Sequence, residues 1–290
     1  MIPAPFDYHA PQTMDEALGL LQRHRDDAKV LSGGQSLLPL LKLRLGTAAH
    51  LVDIGRIPGL EYVREEGGQL KIGGRTRESE LEHSPLVGER YPLLADVTAV
   101  IADPLVRNLA TVGGNLAHGD PANDHPAAML ALGASVVATG PGGTRTIAID
   151  DFFLGLFATA LEPDEIPTEI LIPQPPPGSG GAYVKLERKV GDFATAAAAV
   201  QLTLGAGGEV ARVGIGLTNA GPTPVRAAEA ERFLTGKQPG EEAIAEAARL
   251  AGAAAAPSAD RRGAIEYKKQ MARVLTGRAL RLAVQRAKER

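Results

Sequence analysis

Two glycine pairs, each flanked by small polar side chains, are the residues of this sequence best suited to binding chemistry. They lie in the runs 32–37 (Ser-Gly-Gly-Gln-Ser-Leu) and 111–115 (Thr-Val-Gly-Gly-Asn). Glycine lets a backbone approach a ligand closely and adopt positive φ, and successive N–H groups in such a turn form an anion-binding nest. Ser36, Thr111 and Asn115 add side-chain hydrogen-bonding groups. We therefore predict two loops that hold one diphosphate from both sides. The open alternative is a pair of plain tight turns.

The usual nucleotide signatures are missing from the sequence. No GxGxxG run opens a helix after the first predicted strand, and no GxxxxGK[ST] run occurs. A dinucleotide bound by these loops would therefore not be held in the Rossmann manner.

The segment 116–125 (Leu-Ala-His-Gly-Asp-Pro-Ala-Asn-Asp-His) follows the second glycine pair. Its histidines and aspartates invite a metal-site interpretation, but Pro121 breaks any regular helix that would present ligands on one face. We favour an Asx-rich turn that caps a helix from Pro126. A polar loop facing ribityl and ribose hydroxyls is a further alternative. The sequence has no HExxH or other usual zinc spacing, and we expect no metal site.

Composition narrows the class of protein. The chain has 290 residues, of which 44% are hydrophobic and 22% charged, as in a globular protein of two or three compact domains. The net charge of −3 gives no reason to expect a nucleic-acid partner. Cysteine is absent, so this chain cannot hold a cysteine-ligated iron–sulfur cluster. There is no membrane-spanning apolar run and no secretory signal, and we expect a cytoplasmic protein.

Periodicity and turn residues predict an α+β chain in two parts separated by a linker. The Pro- and Gly-rich stretch 174–181 is the linker. Strands are predicted at 29–32, 50–54, 69–72, 134–138, 182–188, 195–204 and 210–218. Helices are predicted at 13–25, 85–101, 126–133, 241–255 and from about 264 to the end.

Four blocks of this sequence, in this order, carry a resemblance to a known family. They are VLSGGQSLLPLLKLRL, ADPLVRNLATVGGNLAHGDPANDHPA, DDFFLGLFATALEPDEI and KLERKVGDFATAAAAV. Together they resemble the FAD-binding medium subunits of molybdenum hydroxylases, and most of all the aerobic carbon monoxide dehydrogenase group. The resemblance implies a FAD-binding domain of the vanillyl-alcohol-oxidase (PCMH) type over residues 1–173, with subdomains at about 1–55 and 56–173. It also implies a small α+β domain with an antiparallel sheet at 182–290.

The resemblance also implies the residues that bind FAD. The first diphosphate loop corresponds to Ser32, Gly33, Gly34, Gln35, Ser36 and Leu37, and the second to Thr111, Gly113, Gly114 and Asn115. Asp124 corresponds to a contact with the flavin nucleotide, and Leu161 and Lys185 to positions beside the isoalloxazine ring. A lysine at that ring would stabilise negative charge on the reduced flavin. The alternatives are a solvated strand residue for Lys185 and core packing for Leu161. Phe193 is a candidate to shield the flavin, with a buried core position as the alternative.

The implied function is electron transfer within a larger enzyme. A large partner subunit with a molybdenum cofactor oxidises the substrate, and a small partner subunit carries 2Fe-2S clusters. The FAD of this chain passes the electrons to an external acceptor such as a quinone. The family implies two copies of each subunit, a location that includes the inner face of the membrane, and no catalytic acid, base or nucleophile in this chain.

Two alternatives remain open from the sequence. One is a standalone FAD-dependent oxidoreductase of the same fold, with His118 or Tyr183 as the catalytic acid or base. The other is a non-enzymatic scaffold subunit whose glycine pairs are turns. The C-terminal run around Arg261-Arg262 and Tyr267-Lys268-Lys269 is a candidate docking stripe, although a solvated basic face is the more ordinary interpretation.

Overall fold

Three short strands near the N-terminus form a parallel sheet in the computed structural model, which describes residues 2–290. The strands are β1 (Asp7–His9), β2 (Ala28–Leu31) and β3 (His50–Asp53), paired in the order β1-β3-β2. Parallel strands need crossover connections, and helices α1 (Met14–His24) and α2 (Leu37–Leu43) lie within them.

Helix α1 covers this first sheet with one apolar face. Thr13 caps the helix by accepting a hydrogen bond from the Glu16 N–H at 3.2 Å. Ala17 and Leu21 are fully buried against Val52 of β3. The predicted helix at 13–25 and the predicted strands at 29–32 and 50–54 therefore agree with the structure within a residue or two at each end.

The second sheet has five antiparallel strands in the order β4-β5-β10-β6-β7. Their bounds are β4 Val63–Glu66, β5 Gln69–Gly73, β6 Ser135–Gly140, β7 Gly143–Ala148 and β10 Ile166–Pro173. Six helices lie between β5 and β6: α3 Glu78–Glu82, α4 Pro85–Arg90, α5 Pro92–Val100, α6 Pro104–Arg107, α7 Val112–His118 and α8 Asp124–Leu132. A two-stranded hairpin, β8 (Phe153–Gly155) and β9 (Ala158–Thr159), precedes β10. Single 3₁₀ turns occupy Arg25–Asp27, Ile54–Arg56 and Ile149–Asp151.

The helix predicted at 85–101 is divided in two in the structure. Tyr91 separates α4 from α5 and has φ −126° and ψ 65°. Pro92 disfavours helical backbone at the residue before it and carries no N–H to continue the helix. The apolar periodicity therefore predicted the buried face correctly and the continuity of the helix wrongly.

The C-terminal domain is an antiparallel sheet followed by helices. The sheet has the order β11-β12-β13-β14, and the three helices are packed with it around one apolar cluster. The bounds are β11 Ser179–Leu186, β12 Ala196–Leu204, β13 Val210–Thr218, β14 Val225–Arg226, α9 Ala228–Leu234, α10 Glu241–Ala254 and α11 Ile265–Lys288.

Strand β11 begins at Ser179, inside the stretch that the composition predicts to be linker. Gly180 and Gly181 are buried strand residues. A Cβ atom at Gly180 would overlap the carbonyl oxygen of Ala283 in α11. These glycines therefore serve close packing of a helix on a strand rather than flexibility, a distinction that composition cannot make.

The two domains share one apolar core. Helix α8 lies directly on β13, where a Cβ atom at Gly216 would overlap the carbonyl oxygen of Ala127. Arg286 of α11 reaches back to Asp96 of α5 with N–O distances of 2.6 and 3.0 Å. The start of α8 lies close to strand β11, since Asp124 contacts Tyr183 and Lys185. Within residues 2–290, no helix combines the length and apolarity needed to span a bilayer.

Candidate functional site

The first glycine pair forms the loop between β2 and α2. Gly34 has φ +72°, a left-handed conformation that glycine adopts without strain. Among residues 2–290, the backbone N–H groups of Gly34, Gln35 and Ser36 have no protein acceptor. The Gln35 side chain donates to the Gly33 carbonyl at 3.3 Å, which leaves the N–H groups of the loop free for a ligand. Successive free N–H groups beside a left-handed glycine match an anion-binding nest.

The two glycine pairs are in direct contact, although they are far apart in sequence. Ser32 Oγ lies 2.9 Å from Thr111 Oγ1 across 79 positions of the chain. A Cβ atom at Gly33 would overlap the carbonyl oxygen of Leu109 and lie 2.8 Å from Ala110 Cα. Only glycine fits at residue 33, because the two backbones touch there.

The second glycine pair lies in a helix rather than in a turn. Thr111 is the N-cap of α7, and its Oγ1 accepts from the Gly114 N–H at 3.2 Å. The Gly113 N–H donates to the Gly74 carbonyl at 3.0 Å. The expectation of exposed N–H groups at this pair is therefore wrong for Gly113 and Gly114. Thr111, a favourable N-cap residue, was the sequence signal for this helix.

Asn115 carries an unpaired polar group inside the site. Its Oδ1 is buried and has no hydrogen-bond partner in the described part of the chain. Its backbone carbonyl accepts from the Asn123 side-chain amide at 3.0 Å, which ties the segment after α7 to the glycine pair. Buried polar atoms are nearly always paired, so this oxygen fits a hydrogen-bond donor supplied by a ligand.

Asp124 and Lys185 meet in a buried ion pair at the domain boundary. Lys185 Nζ lies 2.9 Å from Asp124 Oδ2 and 2.9 Å from the Val100 carbonyl oxygen. The Tyr183 hydroxyl donates to Asp124 Oδ1 at 2.7 Å and lies 2.9 Å from the Thr218 hydroxyl. The Lys185 side chain is 3% exposed, which excludes a solvated strand position. The Val100 carbonyl and Thr218 are partners that no sequence spacing indicated.

Burial governs the protonation of this cluster. It raises the pKa of the Asp124 carboxyl, while the Lys185 ammonium and the Tyr183 hydroxyl oppose that rise. Burial also raises the pKa of the Tyr183 hydroxyl well above its usual value, and the neighbouring Asp124 carboxylate adds to that rise. Tyr183 therefore stays protonated and acts as a hydrogen-bond donor, not as a base.

Phe193 lies at the mouth of a cavity and not in the core. The ring is 45% exposed, which rules out the buried alternative. The cavity has a volume of about 490 Å³, and its lining includes Asp120, Asn219 and Arg262 as well as Phe193. Asp192 fixes this loop, since it accepts from the Phe193 N–H at 2.8 Å. Hydrogen bonds from Arg262, foremost, and from Arg188 hold the pKa of Asp192 down at about 2.

The remaining predicted residues have structural surroundings as well. Leu161 is half-buried and packs against the large core, and Leu37 begins α2. Asp120 forms the predicted Asx turn by accepting from the Ala122 N–H at 2.9 Å. Helix α8 begins at Asp124, two residues before the predicted start. In the part of the chain that the structure describes, the histidines of this segment belong to no group with metal-ligand geometry.

Comparison with known proteins identifies the family to which this site belongs. Residues 4–175 match the FAD binding domain in molybdopterin dehydrogenase, and residues 181–283 match the CO dehydrogenase flavoprotein C-terminal domain. The chain belongs to the FAD-binding medium subunits of the molybdenum hydroxylases. The fold is accordingly the expected α+β FAD-binding domain with its C-terminal domain.

Relatives match this medium subunit over its full length. The carbon monoxide dehydrogenase medium chain of Afipia carboxidovorans is 47% identical over 290 residues, which cover 100% of this chain and 99% of the relative. A solved carbon monoxide dehydrogenase from Hydrogenophaga pseudoflava that lacks the Mo-pyranopterin moiety has a TM-score of 0.96 at 49% identity, with 99% of each chain covered. Quinoline 2-oxidoreductase from Pseudomonas putida 86 has a TM-score of 0.92 at 32% identity, also with 99% of each chain covered.

The residues of this medium subunit fit FAD. The free N–H groups of the first loop suit a diphosphate. The buried, unpaired Asn115 oxygen leaves an acceptor free for a ligand donor. Bound FAD supplies the redox chemistry that the side chains of a cysteine-free subunit cannot perform.

Proposed function

We propose that this subunit passes electrons from the iron–sulfur clusters of a partner subunit, through its FAD, to an external acceptor such as a quinone. The observation that carries the proposal is the first glycine loop, whose free N–H groups face no protein acceptor and whose Gly33 touches the second glycine segment. That loop binds an anion and, in a FAD-binding medium subunit, the anion is the diphosphate of FAD.

The proposed binding residues fall into two groups with different tasks. The first loop donates hydrogen bonds to the diphosphate through its backbone and through Ser32 and Ser36. Thr111, Gly113 and Gly114 form the opposite side of the proposed site, where glycine has no side chain to fill the space. Asn115 serves as an acceptor toward the nucleotide. Each group needs the other, because the Ser32–Thr111 contact at 2.9 Å sets their separation.

Asp124, Lys185 and Leu161 are proposed to surround the isoalloxazine ring. The Lys185 ammonium is held in place by Asp124 and the Val100 carbonyl, so its charge has a fixed position. A fixed positive charge favours the reduced, more negative flavin. Asp124 offsets part of that charge, and the pair together tunes the potential. Phe193 is proposed to cover one side of the ring from the loop that Asp192 holds.

The proposed partners are a large subunit with the molybdenum cofactor and a small subunit with 2Fe-2S clusters, in two copies each. The relatives are medium chains of enzymes with several subunits, which supports the two partner types. The absence of cysteine from this chain places the clusters on another subunit. A cytoplasmic location, at the inner face of the membrane through the complex, stays a proposal that fractionation of cells tests.

We assign the proposed domains as residues 1–173 for FAD binding, with a division near 55, and 182–290 for the C-terminal domain. Support comes from the first sheet, which ends at Asp53, and from the second, which ends at Pro173. The linker then shortens from 174–181 to 174–178, because β11 begins at Ser179.

A standalone oxidoreductase has less support. Its proposed base Tyr183 is buried, donates to Asp124 and has a raised pKa. Burial lowers the pKa of His118, whose ring lies beside that of Phe157. A scaffold without FAD is inconsistent with the family of residues 4–175.

The test is a visible absorption spectrum of the complex purified with its native partners, before and after anaerobic dithionite. We expect a flavin band that bleaches in the wild type. Gly33→Ala places a Cβ atom into the Leu109 carbonyl, and an overpacking cost of about 1–3 kcal/mol, if it falls on the FAD-bound state, lowers FAD affinity by about 5- to 150-fold. Gly88→Ala is the matched control, since a Cβ atom there meets nothing within 4 Å.

Two outcomes would overturn the proposal. A wild-type complex that shows only iron–sulfur absorption would remove FAD from this subunit. Equal flavin content in the Gly33→Ala and Gly88→Ala complexes would remove the first loop from the binding site. To test electron transfer itself, a complex depleted of FAD is given dithionite. Its clusters should be reduced, but it should not reduce a quinone analogue until FAD is restored.

A further inference from the structure

Three histidines from separate elements converge beside strands β1 and β3 of the first sheet. His9 is the last residue of β1, His24 the last residue of α1, and His50 the first residue of β3. One ring nitrogen of each lies within 4.8 Å of the others. All three side chains are half-buried, so the cluster has contact with solvent.

The distances match those between ligands of one small cation. His9 Nε2 and His50 Nδ1 are 3.2 Å apart, and Asp7 Oδ2 lies 3.6 Å from the same His50 nitrogen. Metal–nitrogen bonds of about 2.0–2.1 Å in a tetrahedral zinc site place neighbouring ligand atoms about 3.3–3.4 Å apart. The His24 and His50 rings are stacked with centroids 3.6 Å apart and planes tilted by 28°. A ring nitrogen of His24 lies within 4.8 Å of the candidate ligand nitrogens of His9 and His50.

Protein contacts alone give this arrangement little stabilisation. The His9–His50 contact uses one nitrogen of each ring, and the imidazole of His24 has no hydrogen-bond partner among the described residues. Three imidazoles in contact also repel one another when protonated. A cation bound by the three neutral rings would replace that repulsion with three bonds.

The cluster is separate from the proposed FAD site. His50 of β3 pairs with Ala28 at the start of β2, whereas the first glycine loop follows Leu31 at the end of β2. Three residues of strand separate His50 from the loop by about 10 Å, and His9 lies on β1, which β3 separates from β2 and the loop. A cation here would connect β1, α1 and β3 without touching the diphosphate loop.

We propose that His9, His24 and His50 bind a divalent transition-metal cation, Zn²⁺ being the best fit, with the Asp7 carboxylate or water as the fourth ligand. Imidazole nitrogen suits zinc, copper and nickel, and the carboxylate adds the negative charge that a dication favours. Sequence spacing does not indicate this site, because its ligands lie 15 and 26 positions apart and match no usual zinc spacing. The bound cation fastens the N-terminal strand to the rest of its subdomain.

The test uses the full chain with FAD, stripped of metal by a chelator and titrated with ZnCl₂ by calorimetry, with metal content measured after dialysis. We expect one zinc per chain. His24→Ala and His9→Gln each remove a ligand and should lower the affinity by on the order of 100-fold, the upper range for loss of a supporting group. His83→Ala is the matched control, since His83 is an exposed histidine outside the cluster.

A second readout separates a true site from loss of folding. Zinc should raise the Tm of the wild type and of His83→Ala by several degrees, because a ligand that binds only the folded state stabilises it. It should leave the Tm of His24→Ala unchanged, while the flavin spectrum of that variant stays normal. No stoichiometric zinc in the wild type would overturn the proposal, and so would unchanged zinc affinity in both cluster variants.

Discussion

The two glycine pairs look alike in sequence and differ in what the fold does with them. At the first pair the backbone N–H groups of Gly34, Gln35 and Ser36 are left without protein acceptors. At the second pair the N–H groups of Gly113 and Gly114 are bonded to Gly74 and Thr111. The backbone of the first glycine pair is left to be completed by a ligand, whereas the glycine N–H groups of the second pair are satisfied within the protein. In the proposed diphosphate site, only the first loop supplies an anion-binding nest, and the second segment forms a rigid backbone surface opposite it.

The same contrast extends to the residues after each pair. Beyond the second pair, Asp124 is paired with Lys185 and Tyr183 inside the protein. Variants of Asp124, Lys185 or Tyr183, whose polar groups are paired with one another, should destabilise the apoprotein. Variants of the first loop that leave its backbone packing intact, unlike Gly33→Ala, should act on FAD binding and leave the apoprotein close to its original stability.

The largest expected effect is that of Lys185→Met. The change leaves the buried Asp124 carboxylate without its cation, and breaking a buried pair in this way costs about 3–5 kcal/mol. Thermal and urea unfolding of the apoprotein measure it. Lys189→Met, at an exposed position in the same segment, is the control and should change stability little.

A double variant sharpens the Lys185 result. Asp124→Asn removes the charge that Lys185→Met leaves unpaired, so the pair of changes should cost less than the sum of the two single changes. Strict additivity would mean that the ion pair does not contribute to stability. The segment around Asp124 would then be completed by FAD, as the first glycine loop is proposed to be.

Gly113→Ala should have the next largest effect. A Cβ atom there would lie 2.5 Å from the Gly74 carbonyl oxygen and 3.0 Å from its Cα. Backbone cannot move aside as a side chain can, and we expect the apoprotein to lose about 1–3 kcal/mol of unfolding free energy. Gly88→Ala, in an open helical position, should be neutral or slightly stabilising. If Gly113→Ala left the stability of the apoprotein unchanged and weakened FAD binding, the second glycine pair would act on the ligand rather than on the fold.

The sequence predicts most of the elements and only part of the site. The strands predicted at 195–204 and 210–218 match β12 and β13 within one residue at each end. The sequence prediction missed β10, the central strand of the second sheet, because Pro167 and Pro173 punctuate that run. Local pattern is strongest where a strand has no proline to interrupt it.

The site residues were found by resemblance, and their partners were not. Nothing local connects Asp124 with Tyr183 or Lys185 with the carbonyl of Val100, since these contacts arise only when α8 and α5 pack on the C-terminal sheet. Lys268 shows the same limit. The run 267–269 is predicted to be a docking stripe or a solvated basic face, but Lys268 is 1% exposed and paired with Asp260 at 2.8 Å. Charge in a sequence does not report burial.

Ser32→Ala should have the smallest effect and tests the junction between the two regions. It removes the 2.9 Å contact with Thr111, while Thr111 keeps its bond from the Gly114 N–H. Loss of one partly exposed hydrogen bond costs about 0.5–1.5 kcal/mol. If α7 is stable without the Ser32 contact, it stays protected from hydrogen exchange in Ser32→Ala. The variant then lowers FAD affinity, by about tenfold at most. Faster hydrogen exchange along α7 in Ser32→Ala would show instead that the first glycine loop stabilises α7.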